Sequence, residues 1–326
     1  MYRLCLAAAL LIVCASPSTP PNDSAAQQLL DSAHSPANLL QGTSSPFDLE
    51  VDFTAQFKAP TVGHLTLKWQ SKDHWWSKVE ISGFEQTTVR DGEEQYILRN
   101  IPYTPVPISD LFNLLGLAGD PTSFTATKQK VRSRNGVAMA CIQASEKRYL
   151  GTESREFCLD AHSRDMLSDS SEDFLRHKRI ERYSDYFDFA GKRYPRRLDL
   201  LDNGKTSVAA NVIQLQTAAF DSALLVAPEG SIRRKKCANM TPPVSIRRVD
   251  LPPSSLRRLP GNVLVSLTIL TDGSVSNVQV IGNSAPQIDA EMVKALKQWK
   301  FRPAMCGQEP VVTDGQIVID NKDGPN

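Results

Sequence analysis

From Phe47 the chain alternates with a period of two. Phe47, Leu49, Val51, Phe53, Ala55 and Phe57 are apolar, and Asp48, Glu50, Asp52, Thr54 and Gln56 separate them. Such a pattern describes a strand with one buried face. Leu65, Leu67 and Trp69 repeat it beyond Pro60 and Gly63; Val79 and Ile81 follow, and Tyr96-Ile97-Leu98 returns after Asp91-Gly92. Short strands joined by tight turns predict an antiparallel meander. Further strands are predicted at 137–144, 155–160, 167–170, 179–189, 193–200 and 208–215, with Asp202-Asn203-Gly204 as a hairpin turn.

Two stretches break this period. Ser109-Asp110 offers an N-cap for Leu111, Phe112, Leu114, Leu115 and Leu117, whose apolar positions cover most of a helix circumference. This helix either packs across the concave face of the sheet or forms a lid over a lipid-sized cavity. Between 289 and 299 the pattern is helical again. Ile288, Met292, Ala295, Leu296 and Trp299 form one stripe, Asp289 offers an N-cap, and Pro303 stops continuation. Before this helix, Val263 to Leu270 and Val275 to Val280 flank Asp272-Gly273, a strong hairpin signal. The first of these strands is apolar on both faces. Val311-Val312 and Gln316 to Ile319 supply a last strand, so the predicted order of this unit is β-β-α-β.

Length and composition separate these patterns into domains. A chain of 326 residues is long for one core, and two domains are expected. The balance of 37 basic against 36 acidic residues excludes a dedicated nucleic-acid binder, which needs a basic excess. Residues 1–15 read as a signal peptide, with Arg3 as n-region, Leu4 to Val13 as h-region and a cleavage site after Ala15. The apolar run is too short to span a bilayer, which takes about 20 residues. A lipid-anchored alternative through Cys14 would need a smaller residue than Val13 before the cysteine. Residues 16–45, rich in Pro, Ser and Ala, are expected to be a disordered tail with a short helical stretch near Ala25 to Ser32. Residues 226–248 form a Pro/basic linker: Arg233-Arg234-Lys235-Lys236, Thr241-Pro242-Pro243 and, just beyond, Leu251-Pro252-Pro253. Polyproline II stiffness would hold the domains apart. The basic run is either a solvated face or a contact for an anionic lipid surface.

Six cysteines reduce to four once Cys5 and Cys14 leave with the signal. An even number in an exported chain predicts disulfides. Four cysteines allow three connectivities; Cys141–Cys158 and Cys237–Cys306 are favoured. Cys141 and Cys158 lie symmetrically about a turn near Leu150-Gly151, and opposed residues of an antiparallel pair come within about 4.5 Å. Cys237 precedes the C-terminal unit and Cys306 follows its helix. A four-cysteine zinc site lacks any Cys-x-x-Cys spacing. The five histidines (34, 64, 74, 162 and 177) show no metalloprotease, triad or paired metal spacing, so neither catalytic, cofactor nor metal residues are expected.

Two resemblances organise these observations. Gly63-His-Leu-Thr-Leu-Lys-Trp, Phe157-Cys-Leu-Asp and the return from Tyr186 through Pro195 to Leu200 resemble the LolA/LolB-type fold over residues 47–225. That fold is an open, curved antiparallel sheet closed by a helix, and its relatives bind acyl chains or peptides in the concavity. Gly261-x-Val263, Asp272-Gly273, Val278-x-Val280, Ile288-Asp289, Trp299-x-Phe301-x-Pro303-Ala304 and Gly307-x-x-Pro310 resemble the TonB C-terminal domain over residues 249–320. The entry departs from that family's Tyr-Pro pair, with Leu251-Pro252-Pro253 in its place. The expected fold class is therefore α+β: an N-terminal curved antiparallel β half-barrel with a helix, then a small β-β-α-β domain.

The second resemblance implies strand addition at an exposed sheet edge. Gln316, Ile317, Val318 and Ile319 are the expected edge, with Arg302 as a further contact; Trp299 and Phe301 are expected in the core. The implied partner is an outer-membrane β-barrel transporter or another envelope protein. A lipid or acyl ligand in the N-terminal domain and a homodimer through edge pairing are further implications. The expected place is the periplasm, with membrane association as a variant. The leading reading is thus a periplasmic TonB-like docking or coupling protein. The alternative is a LolA-like lipid or lipoprotein carrier with the TonB-like unit as docking module. Energy-transducing relatives carry a membrane helix where this chain has a cleavable-looking segment, which leaves the energy source unassigned.

Overall fold

The computed structural model describes residues 24–37, 40, 45–117, 124–134, 136–148, 151–172, 178–237, 240–256, 258, 263–281 and 286–319. The expected signal peptide at 1–15, and Gly261 of the predicted hairpin, lie outside these residues. Among the described residues, no helix is long and apolar enough to cross a membrane.

The N-terminal unit is one large antiparallel sheet. Its strands are β1 (Phe47–Gln56), β2 (Pro60–Ser71), β3 (His74–Ile81), β4 (Phe84–Asp91), β5 (Glu94–Arg99), β6 (Thr125–Arg134), β7 (Val137–Arg148), β8 (Gly151–Asp160), β9 (Met166–Glu172), β10 (Lys178–Phe189), β11 (Lys192–Asp202) and β12 (Lys205–Thr217). Two meanders, β1 to β5 and β6 to β12, join where β1 pairs with β12. Alternation does what the sequence predicts: Phe47, Leu49, Val51, Phe53 and Ala55 are buried on one face of β1. On the other face Lys68 Nζ meets Asp48 at 2.5 Å and His64 Nδ1 meets Asp52 at 2.7 Å, each across the β1–β2 register. Burial of the apolar face supplies the main stabilisation, at about 25 cal/mol per Å² removed from water.

Helices fill the concave side. α1 (Ser24–Asp31) packs Ala26, Leu29 and Leu30 against the core, and Ala33 and Leu40 are buried beyond it. The helix lies where the short helical stretch near Ala25 to Ser32 was expected, and its docking corrects the expectation of a disordered tail over the described part. Three apolar positions on one stripe suffice to dock a helix against an existing core, although so short and polar a helix is not stable in isolation. α2 (Val106–Leu114) buries Ile108, Leu111 and Leu114, and Leu115 follows fully buried. Its N-cap position is Pro105, four residues before Ser109; no side chain caps it there, and Pro107 is preset for the first turn. Asp110, read as part of a cap, instead lies inside the helix and accepts a hydrogen bond from Arg179 Nη2 at 2.6 Å. Burial raises the Asp110 pKa above the usual carboxylate range, and the Arg179 guanidinium opposes that rise. Ile108, Leu111, Leu114 and Leu115 share one continuous core with Phe47, Phe53, Leu65 and Leu67, so the helix packs as part of the interior.

The predicted linker is not an extended spacer. β13 (Ile232–Lys235) joins the large sheet as its end strand, antiparallel to β5. β14 (Met240–Thr241) and β15 (Val244–Arg247) then pair with strands of the C-terminal unit. The edge of β5 offers unpaired backbone groups, which outweigh any polyproline preference. The basic run divides: Arg234 is buried and meets Asp314 at 2.8 Å, whereas Arg233 bonds Glu94, Lys235 meets Glu309 at 2.5 Å, and Arg233 and Lys236 stay exposed as a solvated face would be.

The C-terminal unit holds α3 (Pro253–Leu256), β16 (Val263–Ile269), β17 (Val275–Ile281), α4 (Pro286–Leu296), β18 (Lys300–Arg302), β19 (Ala304–Cys306), β20 (Glu309–Val311) and β21 (Thr313–Ile319). The simple β-β-α-β order thus acquires short strands between α4 and β21. α4 starts at Pro286, so Asp289 sits in its first turn instead of capping it, and Trp299 falls beyond its end. Ile288, Met292, Ala295 and Leu296 pack on Val263, Val265, Leu267 and Ile269. Trp299 is half-buried and donates Nε1–H to Val249 O at 3.0 Å.

Gly273 makes the β16–β17 turn with φ +78°. A side chain here would collide with the Phe301 carbonyl, 1.8 Å from the Cβ position, and Phe301 N donates to Gly273 O at 2.9 Å. Asp272 holds the same turn by accepting from Ser274 N at 2.8 Å. The Ser274 side-chain hydroxyl, foremost, and its backbone N–H hold the Asp272 pKa below the usual range.

Candidate docking edge

The small sheet has the order β17-β16-β21. Val263 opposes Ile319, Val265 opposes Ile317 and Leu267 opposes Gly315. Among the described residues, β21 pairs with no strand on its other side. Its outer backbone groups therefore form an open edge of seven residues, Thr313–Ile319.

The four expected edge residues divide by face. Ile317 and Ile319 lie on the side of α4 and join its core. Gln316, exposed, and Val318, half-buried, take the alternate positions. Arg302 is exposed but stands on β18, opposite Val244 of β15. The strand pairing thus gathers 316–319 on one edge and puts Arg302 on another short sheet. Phe301 is buried and Trp299 stacks obliquely on it, ring centroids 6.2 Å apart.

Asp314 was not singled out by sequence, yet it ties the edge strand to the large sheet. Its Oδ1 accepts from Arg234 Nη2 at 2.8 Å and from Thr268 Oγ1 at 2.8 Å; its Oδ2 faces Arg99 Nη2 at 3.5 Å. The side chains of Arg99 and Arg234 are only 3% and 9% exposed, whereas that of Asp314 is 35% exposed. Burial lowers the Arg99 pKa, with Asp314 acting against that shift. Ser266 and Thr268, on the face of β16 away from α4, are buried as well. This cluster explains why β16 has few exposed positions on either face.

Both disulfides serve as ties. Cys141 and Cys158 are directly opposed on β7 and β8, with Cα atoms 4.0 Å apart. Glu156 lies close to both sulfurs, but the bridge leaves no thiolate there for a metal. Cys237 and Cys306 bond across 5.8 Å between Cα atoms and fasten the end of β13 to β19. The C-terminal unit is thereby held to the large sheet by a bridge, a shared strand segment and three ion pairs.

Residues 254–320 match the family model of the Gram-negative bacterial TonB protein C-terminal. No curated protein matches the chain. Solved structures align with much of the chain. A LolA superfamily protein from Nitrosomonas europaea is 12% identical and covers 62% of this chain and 97% of its own, with TM-score 0.44. A putative outer membrane lipoprotein-sorting protein domain from Vibrio parahaemolyticus is 9% identical over 63% and 97%, with TM-score 0.44. The complex structure of Pseudomonas aeruginosa MucA/MucB is 11% identical over 86% and 99%, with TM-score 0.28.

Proposed function

We propose that this is a periplasmic envelope protein that docks a partner by strand addition to β21, through a TonB-like head fixed on a large β unit. The observation that carries the reading is the open edge of β21 in a unit that matches the TonB C-terminal family model. Main-chain hydrogen bonds along an edge give affinity, and alternate side chains give selectivity. Gln316 and Val318 would meet the incoming strand on one side, and Ile317 on the other. An outer-membrane β-barrel transporter with an extended periplasmic segment is the partner class that fits. Arg302 would act outside this strand pair. The carrier reading stands second, because among the described residues the concave face of the large sheet is occupied by side chains and by α1 and α2.

The attachment of the head narrows the role further. A flexible spacer would let the head reach away from its base. Here β13, the Cys237–Cys306 bridge and the Asp314 cluster hold it close, so docking would bring the whole large unit to the partner.

A photo-crosslinker at Val318 tests the reading in cells. Capture of an outer-membrane β-barrel from Val318, absent with the same probe at Gln279 on β17, is the expected result. Equal capture from both positions, or capture of cytoplasmic proteins alone, would count against edge docking.

A further inference from the structure

The large sheet ends on β13 at one side and on β6 at the other. Among the described residues, the β6 end is covered only at its start. Gln27 of α1 donates Nε2–H to Phe124 O at 3.4 Å and accepts from Ala126 N at 2.7 Å. This side-chain amide bonds the backbone as a neighbouring strand would. Beyond Ala126 the outer edge of β6 faces no further strand among the described residues.

Chemistry along the open part is one-sided. Lys128, Lys130 and Arg132 alternate and share one face of β6. All three are exposed. Their cross-strand neighbours on β7 are Gln143, Cys141 and Met139, none of them charged. Glu156 is the nearby carboxylate, and Arg132 engages it through two bonds of 2.9 Å. Among the described residues, Lys128 and Lys130 have no carboxylate within ion-pair distance. On the opposite face Val131 is 76% exposed. An open backbone ladder, cations on one face and an exposed valine on the other define a complementary occupant. It is an extended strand with carboxylates at alternate positions and apolar residues between them.

We propose that the β6 edge from Lys128 to Arg134 binds an extended acidic peptide segment as an additional strand. Backbone bonds supply the pairing, Lys128 and Lys130 select acidic side chains, and Val131 receives an apolar one. The edge of β21 carries Asp314 and is not suited to the same ligand. The two edges would therefore hold different partners at once.

The test uses the full-length, disulfide-intact protein and a fluorescein-labelled peptide of alternating Glu and Val, read by anisotropy. Saturable binding is expected, with none for the matching Lys-Val peptide. Lys128→Glu with Lys130→Glu should weaken it at least about tenfold, since two exposed ion pairs are lost and reversal adds repulsion. Two N-methylated peptides, one blocked on each edge, separate strand addition from charge attraction: one should bind and the other should not. Gln316→Lys on β21 should leave the affinity unchanged.

Equal binding of both methylated peptides, or a loss on changing Gln316, would overturn the proposal. So would the absence of peptide binding together with lysine-dependent capture by phosphatidylglycerol vesicles, which would assign the cations to a lipid surface. If the Glu-Val peptide fails to bind while Lys128→Val with Lys130→Val self-associates, the lysines only guard the edge. In every variant, near-ultraviolet circular dichroism matching the wild type shows that the fold is retained.

Discussion

Replacing Asp314 by alanine removes the one carboxylate shared by Arg99, Arg234 and Thr268. The two guanidinium groups, 3% and 9% exposed, would then stand buried against each other with no other counter-charge among the described residues. Breaking a fully buried pair in this way costs about 3–5 kcal/mol. Asp314 itself is about a third exposed, so water already screens part of the interaction and the figure must be reduced; about 2 kcal/mol is expected. The loss should fall on the attachment of the head more than on either core, because the three side chains come from β5, β13 and β21. The assay is a double-mutant cycle of Asp314→Ala with Arg234→Met, measured by urea unfolding of the full chain with disulfides intact. A coupling of about 1 kcal/mol or more is expected, since the 2.8 Å bond is charge-assisted. Additive effects within about 0.3 kcal/mol would refute the view that this cluster holds the head in place.

Other parts of the structure make independent predictions. Cys141→Ser with Cys158→Ser opens a bridge with a sequence separation of 17 and should lower stability by about 3 kcal/mol, seen as a fall in the urea midpoint. Leu111→Ala removes a fully buried side chain of α2 and should cost about 2–5 kcal/mol by calorimetry, whereas a lid over an empty cavity would lose far less. Asp169 is pushed well above the usual carboxylate range, first by burial and then by Glu181, with Arg155 opposing. A raised carboxylate pKa means that the folded state holds a proton the unfolded state has released, so this contribution declines as pH rises from about 4 towards neutrality. Asp169→Asn should flatten that decline in pH-dependent unfolding; an unchanged slope would contradict the assignment.

What the sequence made legible follows from the range of the interactions. β1 announces itself because five buried apolar residues alternate with polar ones within ten positions. The Asp272-Gly273 hairpin is equally local, since the turn chemistry lies in the turn itself. The Cys141–Cys158 pairing follows from symmetry about one hairpin. The attachment of the head depends instead on distant partners. Arg234 looks like one of four similar cations, and nothing near it identifies Asp314, eighty residues on, as its acceptor. Pro-rich neighbours suggested a spacer around β13, but the unpaired edge of β5, far upstream, recruits it as a strand. The docking of α1 was hidden for the same reason: Ala26, Leu29 and Leu30 have meaning only beside a core assembled elsewhere. Residues 316–319 stand on the edge strand that the family pattern implied, whereas the separation of Arg302 onto β18 required the pairing with β15.

The central claim is that β21 receives a strand. Hydrogen exchange with mass spectrometry on the full-length protein tests it most directly, using the periplasmic segment of the β-barrel captured from Val318 as ligand. New amide protection confined to residues 313–319 is the predicted result, with the concave face of the large sheet unchanged. Protection centred on the strands and helices of that concave face, with β21 unaffected, would contradict the account.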